Sequence, residues 1–237
     1  MKIKILGTRG EIEESLPYHS KHSGILIDDK LMLDLGEKEF LKYRPKWILL
    51  THLHPDHAYF VRRKAEEIPP DHIPIYAPET SKKIPNMHIL QKQINLSSYS
   101  ITPIPTHHSK LVKSQAYLIK KGKQSVLYTG DLVWINKEYH DLFDQVDLVI
   151  TEASFLRKGG MIRRDKETHE IFGHNGIPNL IDLFKKHTKH ILFIHFGSWF
   201  YKDTKASKKQ LIALGKEKGI RSIVGRDGLK LDLSTLK

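Results

Sequence analysis

The segment THLHPDH, residues 51–57, places three imidazoles and one carboxylate within six residues: His52, His54, Asp56 and His57. Imidazole nitrogen and carboxylate oxygen are donors that suit zinc, and also iron or manganese. In a tight loop alternate side chains point in different directions. His52 and His54 can then face one cation while Asp56 and His57 turn toward a second, which fits two metals roughly 3.5–4 Å apart. The chain has 15 histidines, so a lone one carries little information. Four donors at this spacing, directly after an apolar run, carry far more. A polar loop with incidental histidines is the plain alternative.

A dinuclear centre needs further donors, and three downstream segments offer them, each behind a strand-like run. PTHHS supplies His107 and His108, YTGD supplies Asp131, and FIHFG supplies His195. Strand ends are suitable places for such groups, because a sheet fixes the positions of the loops that leave it.

The elements that position these residues are read from short apolar runs between turn residues. Strands are expected at 3–6, 24–27, 31–35, 47–50, 73–77, 98–105, 114–120, 125–128, 146–151, 191–194, 222–224 and 229–233. Helices are expected at 58–67, ending before Pro69-Pro70, at 137–143, at 177–187 and at roughly 204–215. Residues 79–97 give no clear pattern, and 157–175, containing RKGGMIRRDK, read as an exposed basic loop. Strands in runs with helices between them imply an α/β fold, two mixed sheets covered by outer helices.

Length and composition narrow the choices. A chain of 237 residues, 39% hydrophobic, fits one domain over 1–237. It has no cysteine, which excludes disulfides, thiolate zinc sites and thiol nucleophiles. The formal charge of +12 suggests an anionic partner such as nucleic acid or a phosphate ester, or simply a lysine-rich solvated surface. The first apolar stretch is too short for a signal peptide, and no window approaches the ~18 apolar residues of a membrane span. A cytoplasmic protein that meets no membrane is the default expectation. The oligomeric state is open, a homodimer being one option.

The order HxHxDH, then His, then Gly-Asp, then a late His resembles the metallo-β-lactamase superfamily, from about residue 3 to about residue 200. Within it, ILGTRGE, EASF (152–155), GHN (173–175) and HFGSWF (195–200) resemble ribonuclease Z. HSKL (108–111) is similar to the cyclic ribosyl phosphodiesterase of phosphonate breakdown. The resemblance implies a four-layer αββα sandwich. It implies that His52, His54 and His108 hold one metal, that Asp56, His57 and His195 hold the other, and that Asp131 bridges them. His107 competes with His108, and the HSK context favours His108. Two divalent ions, zinc foremost with manganese or iron as alternatives, would activate a shared water for in-line attack on phosphorus, with Asp56 orienting it. His174 would protonate the leaving alkoxide, its ring held by Glu152. A solvated loop histidine and a strand-end charge are the plainer readings of those two.

Two departures matter. Only one hairpin separates His108 from Asp131, leaving no room for the transfer-RNA arm of ribonuclease Z, and Trp199 stands where an Arg is usual. The phosphodiesterase's structural zinc cysteines have no counterpart. Asp34 is a candidate to orient a histidine or to cap a turn. His19 and His22 are expected as exposed loop residues. Arg62-Arg63-Lys64 and Arg163-Arg164 could grip phosphates or form solvated faces, and Trp199 and Phe200 could wall a pocket or pack in the core. Three functions remain: a phosphodiesterase acting on a nucleotide-like or nucleic-acid substrate, a hydrolase of a carboxylic ester, lactone or thioester, and a non-catalytic nucleic-acid binder.

Overall fold

A computed structural model describes residues 1–62, 67–84 and 86–236. The β-branched and leucine-rich runs form the strands β1 (Lys2–Gly7), β2 (Gly24–Ile27), β3 (Leu31–Leu33), β4 (Trp47–Leu49), β5 (Ile75–Ala77), β6 (His88–Ile89), β7 (Ile94–Leu96), β8 (Tyr99–Pro105), β9 (Gln115–Lys121), β10 (Gln124–Tyr128), β11 (Leu148–Ala153), β12 (Met161–Arg164), β13 (Ile171–His174), β14 (His190–Phe196), β15 (Arg221–Val224) and β16 (Lys230–Asp232). The helices are α1 (Ile177–Phe184), α2 (Ser198–Lys202) and α3 (Thr204–Glu217).

Fourteen of the strands make two mixed sheets, ordered β16-β1-β2-β3-β4-β5-β6 and β15-β14-β11-β10-β9-β8-β7. In the first, pairing is antiparallel from β16 to β3 and parallel from β3 to β6. The second repeats this division: β7 to β10 are antiparallel, and β10, β11, β14 and β15 run parallel. The inner faces meet in one apolar layer, where Ile5, Ile25 and Leu33 pack with Ile101, Tyr117 and Ile150. Strands buried on both faces need apolar residues at successive positions, and β11 (LVITEA) and β14 (HILFIHF) supply them.

The outer face of the second sheet is covered by α1, α3 and a 3-10 turn at Lys137–Phe143, through Leu180, Phe184, Leu211 and Phe143. The apolar stripe of α1, Ile177, Leu180, Ile181 and Phe184, is fully buried. The outer face of the first sheet is covered more thinly, by 3-10 turns at Lys38–Tyr43 and Tyr59–Val61 that contribute Phe40, Tyr59 and Phe60.

Two expectations need correction. The helix at 58–67 is replaced, as far as residue 62, by the single turn Tyr59–Val61, and Arg62 leaves it extended at φ −55°, ψ 140°; residues 63–66 lie outside the described residues. The basic loop at 157–175 contains the two-stranded ribbon β12–β13. Its strands carry no buried face, so they lack the alternating pattern by which a strand is read. Among the described residues no helix is long and apolar enough to cross a membrane.

Candidate metal centre

The parallel strands of both sheets end on one rim, and the donors lie just beyond them. β4 delivers Thr51 and His52, and the loop that follows carries His54, Asp56 and His57. The turn after β10 carries Asp131, and His195 lies within the last residues of β14. His108 arrives from the loop after β8. Gly130 makes the β10 turn at φ +58°; a Cβ there would stand 2.5 Å from Thr51 Oγ1, so the turn closes against β4 only with glycine. His195 and Asp34 also hold positive φ, +53° and +56°. Non-glycine residues in that region are uncommon and concentrate at functional sites.

The seven side chains converge. His52, His54, His108 and Asp131 form one set of mutually close donor atoms; Asp56, His57, Asp131 and His195 form a second. Asp131 belongs to both, with Oδ2 3.6 Å from His108 Nε2 and 3.9 Å from His52 Nε2, and Oδ1 3.2 Å from His57 Nε2 and 3.3 Å from His195 Nε2. Two ligands on a tetrahedral zinc at 2.0–2.1 Å lie about 3.3 Å apart, and these gaps bracket that value. His54 Nδ1 and His108 Nε2 face each other at 3.1 Å. His52 Nε2 and Asp131 Oδ1 are buried with no hydrogen-bond partner. Buried polar atoms are seldom left so, and divalent cations would satisfy them. The donor set therefore fits two such ions.

The outer nitrogens of the rings are anchored, which decides which nitrogen faces the centre. His57 Nδ1 donates to Asp34 Oδ2 at 2.7 Å, and Thr51 Oγ1 bridges Asp34 to His52 Nδ1 at 3.0 Å. His108 Nδ1 donates to the Gly173 carbonyl at 2.9 Å, and His195 Nδ1 lies 2.9 Å from Ser154 Oγ. Asp34 is fully buried and also accepts from Thr51 N and Tyr128 OH. It orients two of the clustered histidines and caps no turn.

Charge follows the geometry. Burial opposes ionisation of Asp131, yet the positive charge of His195 and His57 holds its carboxyl well below the usual carboxylate range. Burial, with His108 beside it, lowers His54 to about 4. His174 ends the β13 ribbon beside the centre. Burial disfavours its charged form, but Glu152, 2.8 Å away through Oε2, raises it to about 9. Glu152 Oε1 accepts from Leu132 N, so both carboxylate oxygens are held.

The remaining candidates divide. His107 points away and bonds Asn136 Oδ1. His19 and His22, expected as exposed, are buried: His19 packs edge-on against Phe196 and Phe200, and His22 lies between Glu37 and Arg9. Arg62 joins the His22 group, Arg63 and Lys64 lie outside the described residues, and Arg163 and Arg164 are exposed on β12. Phe200 is core, stacked on Phe196 at 3.9 Å, whereas Trp199 lines a cavity of about 890 Å³ that opens onto Asp56, Asp131, His174 and His195. Sequence reasoning missed Thr51, Tyr128 and Ser154; their only signal is adjacency, since Thr51 and Ser154 flank singled-out residues and Tyr128 ends a strand.

Residues 41–196, about two thirds of the chain, match the family model described as the beta-lactamase superfamily domain. The chain belongs to the beta-lactamase superfamily. Its metallo-β-lactamase fold recurs in solved structures at low identity. The metallo-β-lactamase fold protein YhfI from Bacillus subtilis is 18% identical, with a TM-score of 0.69 over 97% of this chain and 98% of that one. A diphosphatase from the PhnP family is 16% identical, with a TM-score of 0.64 over 98% and 97%. Human tRNase Z, short form, is 16% identical, with a TM-score of 0.63 over 98% and 99%. No curated protein sequence matches the chain significantly. Superfamily membership and the His/Asp clusters make this beta-lactamase-superfamily chain a metal-dependent hydrolase.

Proposed function

We propose that the protein is a two-metal phosphodiesterase, with zinc the first candidate ion. His52, His54 and His108 would hold one ion, Asp56, His57 and His195 the other, and Asp131 would be shared. When bound, the ions would supply Lewis acidity and lower the pKa of a water they hold. Asp56 takes the role of orienting base: its Oδ2 is fixed 2.9 Å from His195 Nε2 and it lines the cavity.

The observation that carries the reading is the His174–Glu152 pair. An alkoxide leaving a phosphate ester needs a proton. Nδ1 of His174 is committed to Glu152, so the proton available to the leaving group is the one on Nε2. Glu152, holding Nδ1 at 2.8 Å, favours the protonated ring. A diphosphatase and a tRNase among the similar folds agree with phosphate-ester chemistry.

The test is turnover of bis-p-nitrophenyl phosphate against a panel of lactones and thioesters, using wild type, Asp56→Ala and His174→Ala, with the metal content of each measured. The reading expects hydrolysis of a diester with an alkoxide leaving group, such as a dinucleoside monophosphate, to fall at least about 100-fold in His174→Ala while the metals stay bound, and hydrolysis of bis-p-nitrophenyl phosphate, whose phenoxide leaves without a proton, to fall far less. Full activity of that variant on the alkoxide-leaving diester removes the proton-donor role. Turnover confined to lactones or thioesters overturns the phosphodiesterase assignment.

A further inference from the structure

The formal charge of +12 is not gathered at the centre. Of the side chains lining the 890 Å³ cavity, Arg157 is the one Lys or Arg among the described residues, and Glu11 lines the same space. The neighbouring chain, Glu11 to Glu14, is acidic and mostly exposed, and Glu14 accepts a bond from Ser198 Oγ. A channel for a nucleic-acid strand needs basic side chains tracking successive phosphates, and this wall does not provide them.

What the wall provides is apolar and aromatic surface, from Ile12, Phe155, Leu156, Met161 and Trp199. Trp199 is half-buried and its Nε1 donates to the Ala153 carbonyl at 2.8 Å, so the ring is presented in a fixed orientation. The Arg157 guanidinium lies 5.9 Å from the centre of the Phe155 ring, within range of a cation–π contact. The cavity size is that of a small-molecule site, in which most contacts are apolar and a few polar groups fix orientation.

We infer that the site takes a small phosphate ester bearing an aromatic or heteroaromatic group, seated on the Trp199 and Phe155 walls, and not a nucleic-acid strand. The inference rests on the phosphodiesterase reading for its phosphoryl end only. The apolar end is argued from the cavity walls. Trp199 and Phe155 are then the residues that set specificity, while the metal donors are indifferent to it.

Calorimetric titration of the metal-loaded protein with phenylphosphonate and with methylphosphonate tests this, because the two share a head group and differ by one ring. Phenylphosphonate is expected to bind about 30-fold more tightly, the effect of burying a ring of that size. Trp199→Leu and Phe155→Leu should each shrink the preference at least about five-fold and leave methylphosphonate affinity unchanged, which also shows that each variant is folded. Equal binding of the two phosphonates overturns the inference. So does a twelve-nucleotide single strand that binds more tightly than phenylphosphonate and weakens steeply with salt. Aryl preference without turnover of any phosphodiester supports the pocket assignment and overturns the phosphodiesterase reading, so the two failures are distinct.

Discussion

Asp34→Asn changes one atom in a buried carboxylate that touches no substrate, and its consequence can be worked through atom by atom. Oδ1 accepts from Thr51 N at 2.7 Å; Oδ2 faces His57 Nδ1 at 2.7 Å, Thr51 Oγ1 at 2.9 Å and Tyr128 OH at 2.5 Å. The amide of an asparagine must keep its oxygen toward Thr51 N, since the flipped form would set two donors against each other. Its NH₂ then replaces Oδ2 and confronts groups that had been donors. The Tyr128 and Thr51 hydroxyls can rotate to accept. His57 Nδ1 can accept only if its proton moves to Nε2. That nitrogen is the one that stands 3.2 Å from Asp131 Oδ1 in the second donor set, so the lone pair a cation needs is lost.

Disturbing the group that orients a metal-binding histidine typically costs about 10–100-fold in affinity, and that loss is expected here for the ion proposed at the Asp56, His57 and His195 donors. Competitive titration with a chromophoric chelator measures it, and nitrogen-15 chemical shifts of His57 report the tautomer directly. Wild-type affinity for both ions, with the proton still on Nδ1, would refute the reasoning. Asp34→Ala is harsher. It strands several buried donors at about 1–3 kcal/mol each, so the metal-free protein should lose about 3–5 kcal/mol in urea unfolding.

Gly130→Ala places a Cβ 2.5 Å from Thr51 Oγ1 at a φ of +58°, and a loss of about 2–4 kcal/mol is expected by urea unfolding of the metal-free chain. His19 is buried, with Nδ1 donating to Thr8 Oγ1, which itself donates to Asp227. Its Nε2 has no partner, and burial, with Lys208 and Arg226 nearby, lowers its pKa to about 4. A depressed histidine is held neutral by folding, so its contribution is complete above the unfolded value of 6.5 and is lost as pH falls from there to about 4. The full effect is up to about 3 kcal/mol. His19→Asn keeps a donor for Thr8 but cannot titrate. The stability gap between wild type and variant should therefore shift in the variant's favour between pH 7.5 and 4.5, and a pH-independent gap would count against the argument. Asp131→Asn, which removes a charge from both donor sets, should lower bound metal below two ions per chain by elemental analysis.

The centre was legible because its donors lie beside strands that announce themselves. Trp47–Leu49, Gln124–Tyr128 and His190–Phe196 are runs whose C-terminal part is apolar and buried, and His52, Asp131 and His195 lie at or just past their ends. What could not be read were groups whose role depends on a distant partner. Asp34 is a loop-edge acid until β4 and β10 bring Thr51 and Tyr128 to it. His19 and His22 sit in a polar stretch, PYHSKHSG, and are buried because that stretch is pinned inward. Asp227, 207 residues from Ser20, accepts from Ser20 N and Lys21 N. The helix expected at 58–67 had the right spacing but follows the metal loop directly. There Leu35 N donates to His57 O and Tyr59 N donates to Leu35 O, so the backbone after His57 is committed to the segment that follows β3 before a helix can start.

The ribbon β12–β13 explains how a residue outside both sheets can be placed as closely as those within them. Gly173 N donates to the His108 carbonyl at 2.6 Å, and His108 Nδ1 donates back to the Gly173 carbonyl at 2.9 Å. Gly173 has φ +113°, and a Cβ there would lie 2.0 Å from the Met161 carbonyl, so the pairing needs glycine. Two residues on, Asn175 N and Nδ2 donate to the carbonyls of Leu132 and Val133, directly after Asp131. His174 is thus clamped between the loop that carries His108 and the turn that carries Asp131. A histidine held by the same backbone that holds two donors of the cluster keeps its place beside them. The ribbon's base, from Gly173 to Asn175, therefore carries the positional constraint, and its exposed strands do not.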